Sequence, residues 1–257
     1  MNTLLNIESI SKYFGGVKAL IDLSMQVKSN EILGIIGPNG AGKTTLFNVL
    51  SGFDKPTKGK IFYCNKDVTG KAVHEMCKLG MGRTFQNIRL FGQMKVIDNL
   101  VVGMHTKLFI NLVEVILNSK SGRLKESNAY EKAHEILKYL KIDDLAFELA
   151  GNLPYGKQRK IEIARALSSQ PKLLLLDEPS AGMNPKETEE LMELIGGIKD
   201  NFAPAVVIIE HSMQLVMGIS NRIIVLNFGE KIAEGTPKEI QNNKLVIEAY
   251  LGQEEEN

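Results

Sequence analysis

The chain has 257 residues, a formal net charge of +1, 44% apolar and 24% charged residues, and no Trp. That length suits one compact body of two lobes with an ordinary core, and the near-neutral balance lacks the basic excess of a nucleic-acid footprint, so no nucleic-acid partner is expected. The longest apolar candidates, Leu108–Leu117 and Leu173–Leu176, fall far short of the roughly 20 residues that cross a bilayer, so any membrane role is expected to run through a partner.

Met1–Ser11 has no basic stretch leading into a long apolar run, so no signal peptide is visible. Leu4–Ile10 and Leu20–Val27 read as short strands, and Ile32–Ile36 is a β-branched run ending at Gly37, as a buried strand would. Lys43–Leu50 reads as a helix closed by Gly52, and Ile61–Tyr63 as another strand. Asn65-Lys66-Asp67 resembles a guanine-reading motif only faintly, since Val68 stands where a second Asp is required, and it reads as a surface turn. Cys64 and Cys77 match no metal or redox spacing, which points to a reducing compartment, the cytoplasm. From Asn87 to about Asn152 the pattern is helical: Val96–Met104, Leu108–Leu117 and Ala129–Leu140. Lys160–Ser168 reads as a helix, Leu173–Leu176 and Ala205–Ile209 as buried strands, and Ile223–Asn227 with Lys231–Ala233 as a hairpin around Phe228-Gly229-Glu230. Asn184-Pro185-Lys186-Glu187 and Thr236-Pro237-Lys238-Glu239 each supply an N-cap, Pro at the first helical position and Glu at the third.

The alternation predicts an α/β fold with a helical lobe inserted into it. The expected divisions are a core of residues 1–86 and 157–235, a helical subdomain at 87–156, and a helical tail at 236–257.

Gly37-Pro38-Asn39-Gly40-Ala41-Gly42-Lys43-Thr44 fits the G-x-x-x-x-G-K-S/T pattern between a strand and a helix. Crowded phosphate oxygens need several donors close together, and glycines let backbone N–H groups converge. The helix adds its positive end, Lys43 is placed for the β- and γ-phosphates, and Thr44 for Mg²⁺. This motif alone specifies a nucleoside triphosphate without separating kinase, GTPase and ATPase. In Leu173-Leu174-Leu175-Leu176-Asp177-Glu178, Asp177 emerges at the carboxyl end of a strand, where ligands bind in open α/β sheets. Asp177 can hold a magnesium water, and Glu178 can take a proton from an attacking water.

The order of phosphate loop, isolated Gln86, Leu153-Pro154-Tyr155-Gly156-Lys157-Gln158-Arg159 before a helix, a strand ending Asp177-Glu178, and a later His211 resembles the ABC ATPase family over essentially the whole chain. The resemblance implies a P-loop NTPase (RecA-like) core with an N-terminal antiparallel β portion and an inserted helical subdomain. It implies that Gln86 touches the metal or the attacking water, that His211 senses the γ-phosphate, and that Phe14 stacks on adenine. The phosphate loop would extend to Thr45, and Leu153–Gln158 would be the signature that closes on a partner's ATP. Ser180-Ala181-Gly182-Met183-Asn184 resembles the D-loop, with Asn184 where Asp is usual. ATP and Mg²⁺ are the implied cofactors, the metal held by Thr44, Gln86 and, through water, Asp177.

Gly82–Phe91, Tyr155–Arg159 and Ala181–Pro185, with the long stretch from Gly103 to Ser127, resemble the ATPases of branched-chain amino-acid importers. That implies a second ABC ATPase subunit forming a heterodimer, with a homodimer as the alternative, two transmembrane permeases, an extracytoplasmic amino-acid-binding protein acting indirectly, and a peripheral place on the cytoplasmic face of the cell membrane. The alternatives are the ATPase of a lipopolysaccharide-type exporter, suggested by Val246–Gly252 and opposed by Arg83-Thr84-Phe85-Gln86, or a soluble ABC protein. A soluble relative would carry two ATPase units or a long coiled coil. Pro154 stands where the general family has Ser and Tyr155 where it has Gly, so the hydroxyl contact to a partner's γ-phosphate is lost while backbone N–H groups remain.

Overall fold

A computed structural model describes residues 2–106 and 120–251. Two sheets carry the molecule. The smaller is antiparallel in the order β2-β1-β4-β5, built from β1 (Thr3–Phe14), β2 (Val17–Lys28), β4 (Lys58–Tyr63) and β5 (Lys66–Asp67). Alternating burial in β2 turns Leu20, Leu23, Met25 and Val27 inward and leaves the intervening residues at or near the surface. β1 and β2 run further than their apolar cores predicted, because register irregularities carry the pairing to Phe14↔Val17. Of the expected Asn65-Lys66-Asp67 turn, Asn65 lies with Cys64 at the tip of the β4–β5 hairpin, both at positive φ, whereas Lys66 and Asp67 pair with Tyr63 and Phe62 as β5.

The larger sheet has six strands in the order β10-β9-β3-β8-β7-β6. They are β3 (Glu31–Ile36), β6 (Met81–Arg83), β7 (Leu173–Asp177), β8 (Ala205–Ile209), β9 (Arg222–Asn227) and β10 (Glu230–Gly235), and β10 alone runs antiparallel to its neighbour. β3, β7 and β8 are buried at every position, the mark of parallel strands covered on both faces. One face packs on α1 (Lys43–Ser51) and the small sheet; the other packs on the helical lobe and on α6 (Pro185–Asn201). β6 escaped the sequence reading, since three residues carry no periodicity.

The helical lobe holds α3 (Val96–Gly103) and α4 (Lys120–Tyr139), and α5 (Tyr155–Ser168) runs unbroken across the expected division between residues 156 and 157. The expected helix at Leu108–Leu117 lies outside the described residues. α4 is described from Lys120, nine residues before Ala129, and Ala129, Ala133, Ile136 and Leu137 are its buried apolar contributions to the core, with Tyr130 and Tyr139 packed against them. α5 begins at Tyr155 rather than Lys160: Pro154 occupies the N-cap, and its carbonyl receives Lys157 and Gln158 N–H. α2 (Val73–Lys78) and α7 (Met213–Ile219) are further short helices. Asn184 and Thr236 form capping boxes with Glu187 and Glu239 at the starts of α6 and α8 (Pro237–Gln241). α9 (Lys244–Leu251) closes the described chain and packs Val246 beside Ile36 and Val225.

Candidate active site

The carboxyl ends of β3, β7 and β8 meet above the parallel sheet, and the loop from Gly37 to Gly42 turns there into α1. Gly42 sits at φ 97°, and a Cβ on it would come within 2.5 Å of the Ala19 carbonyl oxygen, so only glycine lets the loop close on β2. The N–H groups that open α1 then face a cavity of about 490 Å³ lined in part by Asn39–Thr45, Gln86, Glu178 and His211. Lys43 donates to the carbonyls of Gly37 (2.7 Å) and Pro38 (2.9 Å). Burial holds its ammonium below the usual value, while Glu178 and Asp177 act in the opposite direction. Thr44 is exposed to the same cavity.

Gln86, Glu178 and His211 are far apart in sequence and joined in space. Gln86 Nε2 donates to Glu178 Oε2 at 3.1 Å, and His211 Nε2 lies 2.7 Å from Glu178 Oε1. Glu178 occupies a left-handed backbone conformation, φ 46°, and its N–H donates to the Ile209 carbonyl at 2.9 Å. This sharp departure from β7 carries the carboxylate into the cavity while Asp177 stays inside. Asp177 is buried and does not line the cavity; its Oδ2 accepts from Arg83 Nη2 at 3.0 Å. Burial pushes its carboxyl up, and Arg83 pulls it part of the way back.

Phe14 does not line this cavity. It ends β1, is 46% exposed, and has the Lys12 ammonium 4.6 Å from its ring centre. Val17, Lys18 and Ala19 of β2 and Phe228 of the β9–β10 turn line the cavity instead. Leu153–Gln158 also lie outside it, at the start of α5. The Tyr155 ring packs on Gly182, and its hydroxyl accepts from Arg159 at 3.2 Å.

Three polar residues that sequence reading passed over hold the site together. Arg159, fully buried, donates to the carbonyls of Phe85 (2.6 Å) and Gln86 (2.8 Å) and pairs with Glu162 at 2.8 Å. Glu162 in turn accepts from the N–H groups of Phe85 and Arg89 at 3.3 and 3.4 Å. One turn of α5 thus grips the segment that presents Gln86 by both its donors and its acceptors. Glu210, buried at the end of β8, accepts from the Ser180 N–H at 2.7 Å and ties the segment after Glu178 to the segment that carries His211. Arg159 and Glu162 stand among other polar residues of α5, and Glu210 directly follows β8, so none is distinguished by sequence pattern.

The arrangement provides converging N–H donors, a cation for anionic oxygens, and a carboxylate flanked by an amide and an imidazole: a site for binding and hydrolysing a phosphoanhydride. Comparisons with known proteins agree. The ABC transporter family profile matches residues 20–181, and that of the branched-chain amino acid ATP-binding cassette transporter C-terminus matches residues 230–256. The chain is 45% identical over 250 residues to the high-affinity branched-chain amino acid transport ATP-binding protein LivG of Salmonella typhimurium, covering 97% of this chain and 98% of the relative. It is 41% identical to the corresponding protein BraF of Pseudomonas aeruginosa at the same coverage. The ADP conformation of MJ1267, an ATP-binding cassette of an ABC transporter, superposes with a TM-score of 0.85 at 35% identity, covering 98% of this chain and all of that one. A dimeric post-hydrolysis cassette, MJ0796 bound to ADP and Pi, superposes with a TM-score of 0.76 at 26% identity, covering 91% and 98%. The chain therefore belongs to the ABC transporter family, as an ATP-binding and ATP-hydrolysing cassette.

Proposed function

We propose that this cassette energises import of branched-chain amino acids, and that ATP lies in the cavity between Asn39–Thr45 and the Gln86–Glu178–His211 cluster. The observation that carries the catalytic half is that cluster: the two bonds to Glu178 aim its carboxylate at the space in front of Lys43. The backbone N–H groups from Asn39 to Thr45 hold phosphate oxygens, and Lys43 exchanges its carbonyl partners for them. Glu178 accepts the proton of the attacking water, Gln86 orients that water, and His211 reads the γ-phosphate. Phe14 remains the candidate adenine platform at the rim, with Val17 beside it.

The donor set suits Mg²⁺. Thr44 and Gln86 offer hard oxygens and Asp177 stands behind, while no cluster of three His, Cys, Asp or Glu occurs among the described residues. A cation completed by substrate phosphates and waters fits that arrangement better than an all-protein cage would. When bound, it would neutralise charge developing on the phosphate oxygens.

The substrate reading is supported by similarity to LivG and BraF across nearly the whole chain. No helix among the described residues is long and apolar enough to cross a membrane. The working unit we propose is a peripheral dimer with a second ATPase, docked through the region Gln86–Met104 on two permease subunits that receive amino acids from an extracytoplasmic binding protein. Leu153–Gln158 then faces the second subunit's ATP. The divisions at 1–86 with 157–235, 87–156 and 236–257 serve as catalytic core, coupling lobe and tail. Reconstitution with the permeases and partner ATPase tests this through uptake of labelled leucine, isoleucine or valine. ATP-dependent uptake of these is expected, and a complex that hydrolyses ATP yet moves none of them refutes the substrate reading.

A further inference from the structure

One buried cation lies between the metal-side carboxylate and the surface groove that separates the lobes. Arg83, whose side chain is 7% exposed, ends β6. Its Nη2 donates to Asp177 Oδ2 at 3.0 Å; its Nη1 donates to Asn48 Oδ1 at 2.9 Å and to Ser51 Oγ at 2.7 Å. Asn48 and Ser51 belong to α1, the helix that Lys43 opens. A single planar fork therefore fixes the far end of the phosphate-binding helix and the end of β7 relative to each other, which a point-charge ammonium could not do at both places. The next residue acts on the same target: the Asp177 N–H donates to Thr84 Oγ1 at 3.2 Å, and the Thr84 N–H donates to the Leu175 carbonyl at 3.0 Å.

The guanidinium is also packed by rings. Phe47, Phe53 and Phe85 have their ring centres 5.7, 5.5 and 5.2 Å from Arg83 Cζ, and Phe53 meets Phe85 edge-to-face at 5.5 Å. Phe53, Arg83, Phe85 and Phe91 share a groove of about 330 Å³ with Val102 and Arg165 of the helical lobe. Arg83 Nε is buried without a hydrogen-bond partner, a desolvation cost that an apolar residue of similar volume would avoid.

We infer that Arg83 is a positioning residue: it holds one oxygen of Asp177 so that the carboxylate is set for the magnesium shell, and it ties that setting to the aromatic wall of the interlobe groove. The inference rests on the Mg²⁺ reading above. It also gives the Arg83-Thr84-Phe85-Gln86 sequence a division of labour. Arg83 and Thr84 fix Asp177, Phe85 walls the groove, and Gln86 reaches Glu178. A shift of Phe85 or Phe53 in the groove would then be felt at Asp177 without passing through Gln86.

The experiment measures equilibrium binding of a fluorescent ATP analogue to the full chain, in EDTA and across a Mg²⁺ titration, with thermal melting as the control for folding. Arg83→Lys keeps the charge but loses the fork and the ring stacking. It is expected to bind the analogue in EDTA as wild type does, while needing about tenfold or more Mg²⁺ for the metal-dependent gain in affinity, the usual loss when a group orienting a metal ligand is removed. Phe53→Leu, at a half-exposed position outside the phosphate site, is expected to shift the Mg²⁺ midpoint the same way by less, and it still reads the coupling if Arg83→Lys does not fold. Equal weakening with and without Mg²⁺ in Arg83→Lys would mean a merely structural role and overturn the inference, as would an unchanged Mg²⁺ midpoint. An unchanged midpoint in Phe53→Leu overturns the link to the groove. A wild-type chain whose binding ignores Mg²⁺ refutes the metal reading instead, so the two failures are distinct.

Discussion

Replacing Arg159 with Met should cost this cassette more than the loss of any surface ion pair. Arg159 and Glu162 have side chains 0% and 1% exposed and pair at 2.8 Å. Removing the cation leaves the Glu162 carboxylate with only the two long bonds from Phe85 and Arg89, at 3.3 and 3.4 Å. Burial already pushes that carboxyl up, and Arg159 is the main force pulling it down. Breaking one side of such a pair typically destabilises by about 3–5 kcal/mol, because a buried charge is left uncompensated. In a domain of this size that corresponds to a fall in Tm of roughly 6–20 °C. The carbonyls of Phe85 and Gln86 lose their donors as well, so the Gln86 segment should loosen, with faster amide exchange at Phe85–Arg89 than elsewhere. Replacing both partners, Arg159→Met with Glu162→Met, should recover part of the stability, since it removes the orphaned charge while the Phe85 and Gln86 carbonyls and the Phe85 and Arg89 N–H groups still lack their partners. Urea unfolding of the three variants is the assay. A loss below about 1 kcal/mol in Arg159→Met, the value of an exposed pair, would refute the reasoning. So would a double variant no more stable than the single one.

Three further outcomes bear on the chemistry. Lys43→Ala should weaken ATP binding roughly tenfold to a hundredfold, the value of a charge-assisted bond lost from a buried site, and abolish transport; unchanged affinity together with unchanged hydrolysis would remove Lys43 from the site. Glu178→Gln keeps the side-chain shape but cannot take a proton, so turnover should fall by about a hundredfold or more while ATP still binds and the closed dimer accumulates; normal turnover in the assembled complex would exclude Glu178 as the base. Pro154 lacks the hydroxyl that would reach a partner's γ-phosphate, so the site it closes should be weaker by roughly 1.5–3 kcal/mol. Glu178→Gln should then inhibit the heterodimer more than the equivalent change in the partner, and equal inhibition would refute the asymmetry.

The elements legible in the sequence are those whose physics is local. The run Ile32–Ile36 followed by Gly37–Thr44 specifies a strand, a phosphate loop and a helix within thirteen residues, and each part is where it was expected. The same holds for Leu173–Asp177 and for the two capping boxes at Asn184 and Thr236, which depend on residues three apart. Family resemblance added Gln86 and His211, which no local pattern distinguishes from surface residues.

What the chain order could not express is who meets whom across the sheet. The parallel order β3-β8-β7-β6 places Arg83 beside Asp177, 94 positions later, and the ends of β7 and β8 bring His211 to Glu178. β6 is too short to show a period, and it forms a strand only because β7 offers it a ladder. Arg159 and Glu162 carry no distinguishing pattern in the sequence, since a charge three positions from its opposite is common on exposed faces; burial between α5 and the Gln86 segment makes them a clamp. The surroundings of Phe14 were likewise decided by pairing: family resemblance implied a stacking role for it, and the register of β1 against β2 leaves it just outside the cavity lining, with Val17 and Ala19 in the lining. Local sequence determines the phosphate loop because backbone conformation and adjacent donors suffice for it. Pairings of buried charges need two distant segments to lose water together, and tertiary packing alone decides which two.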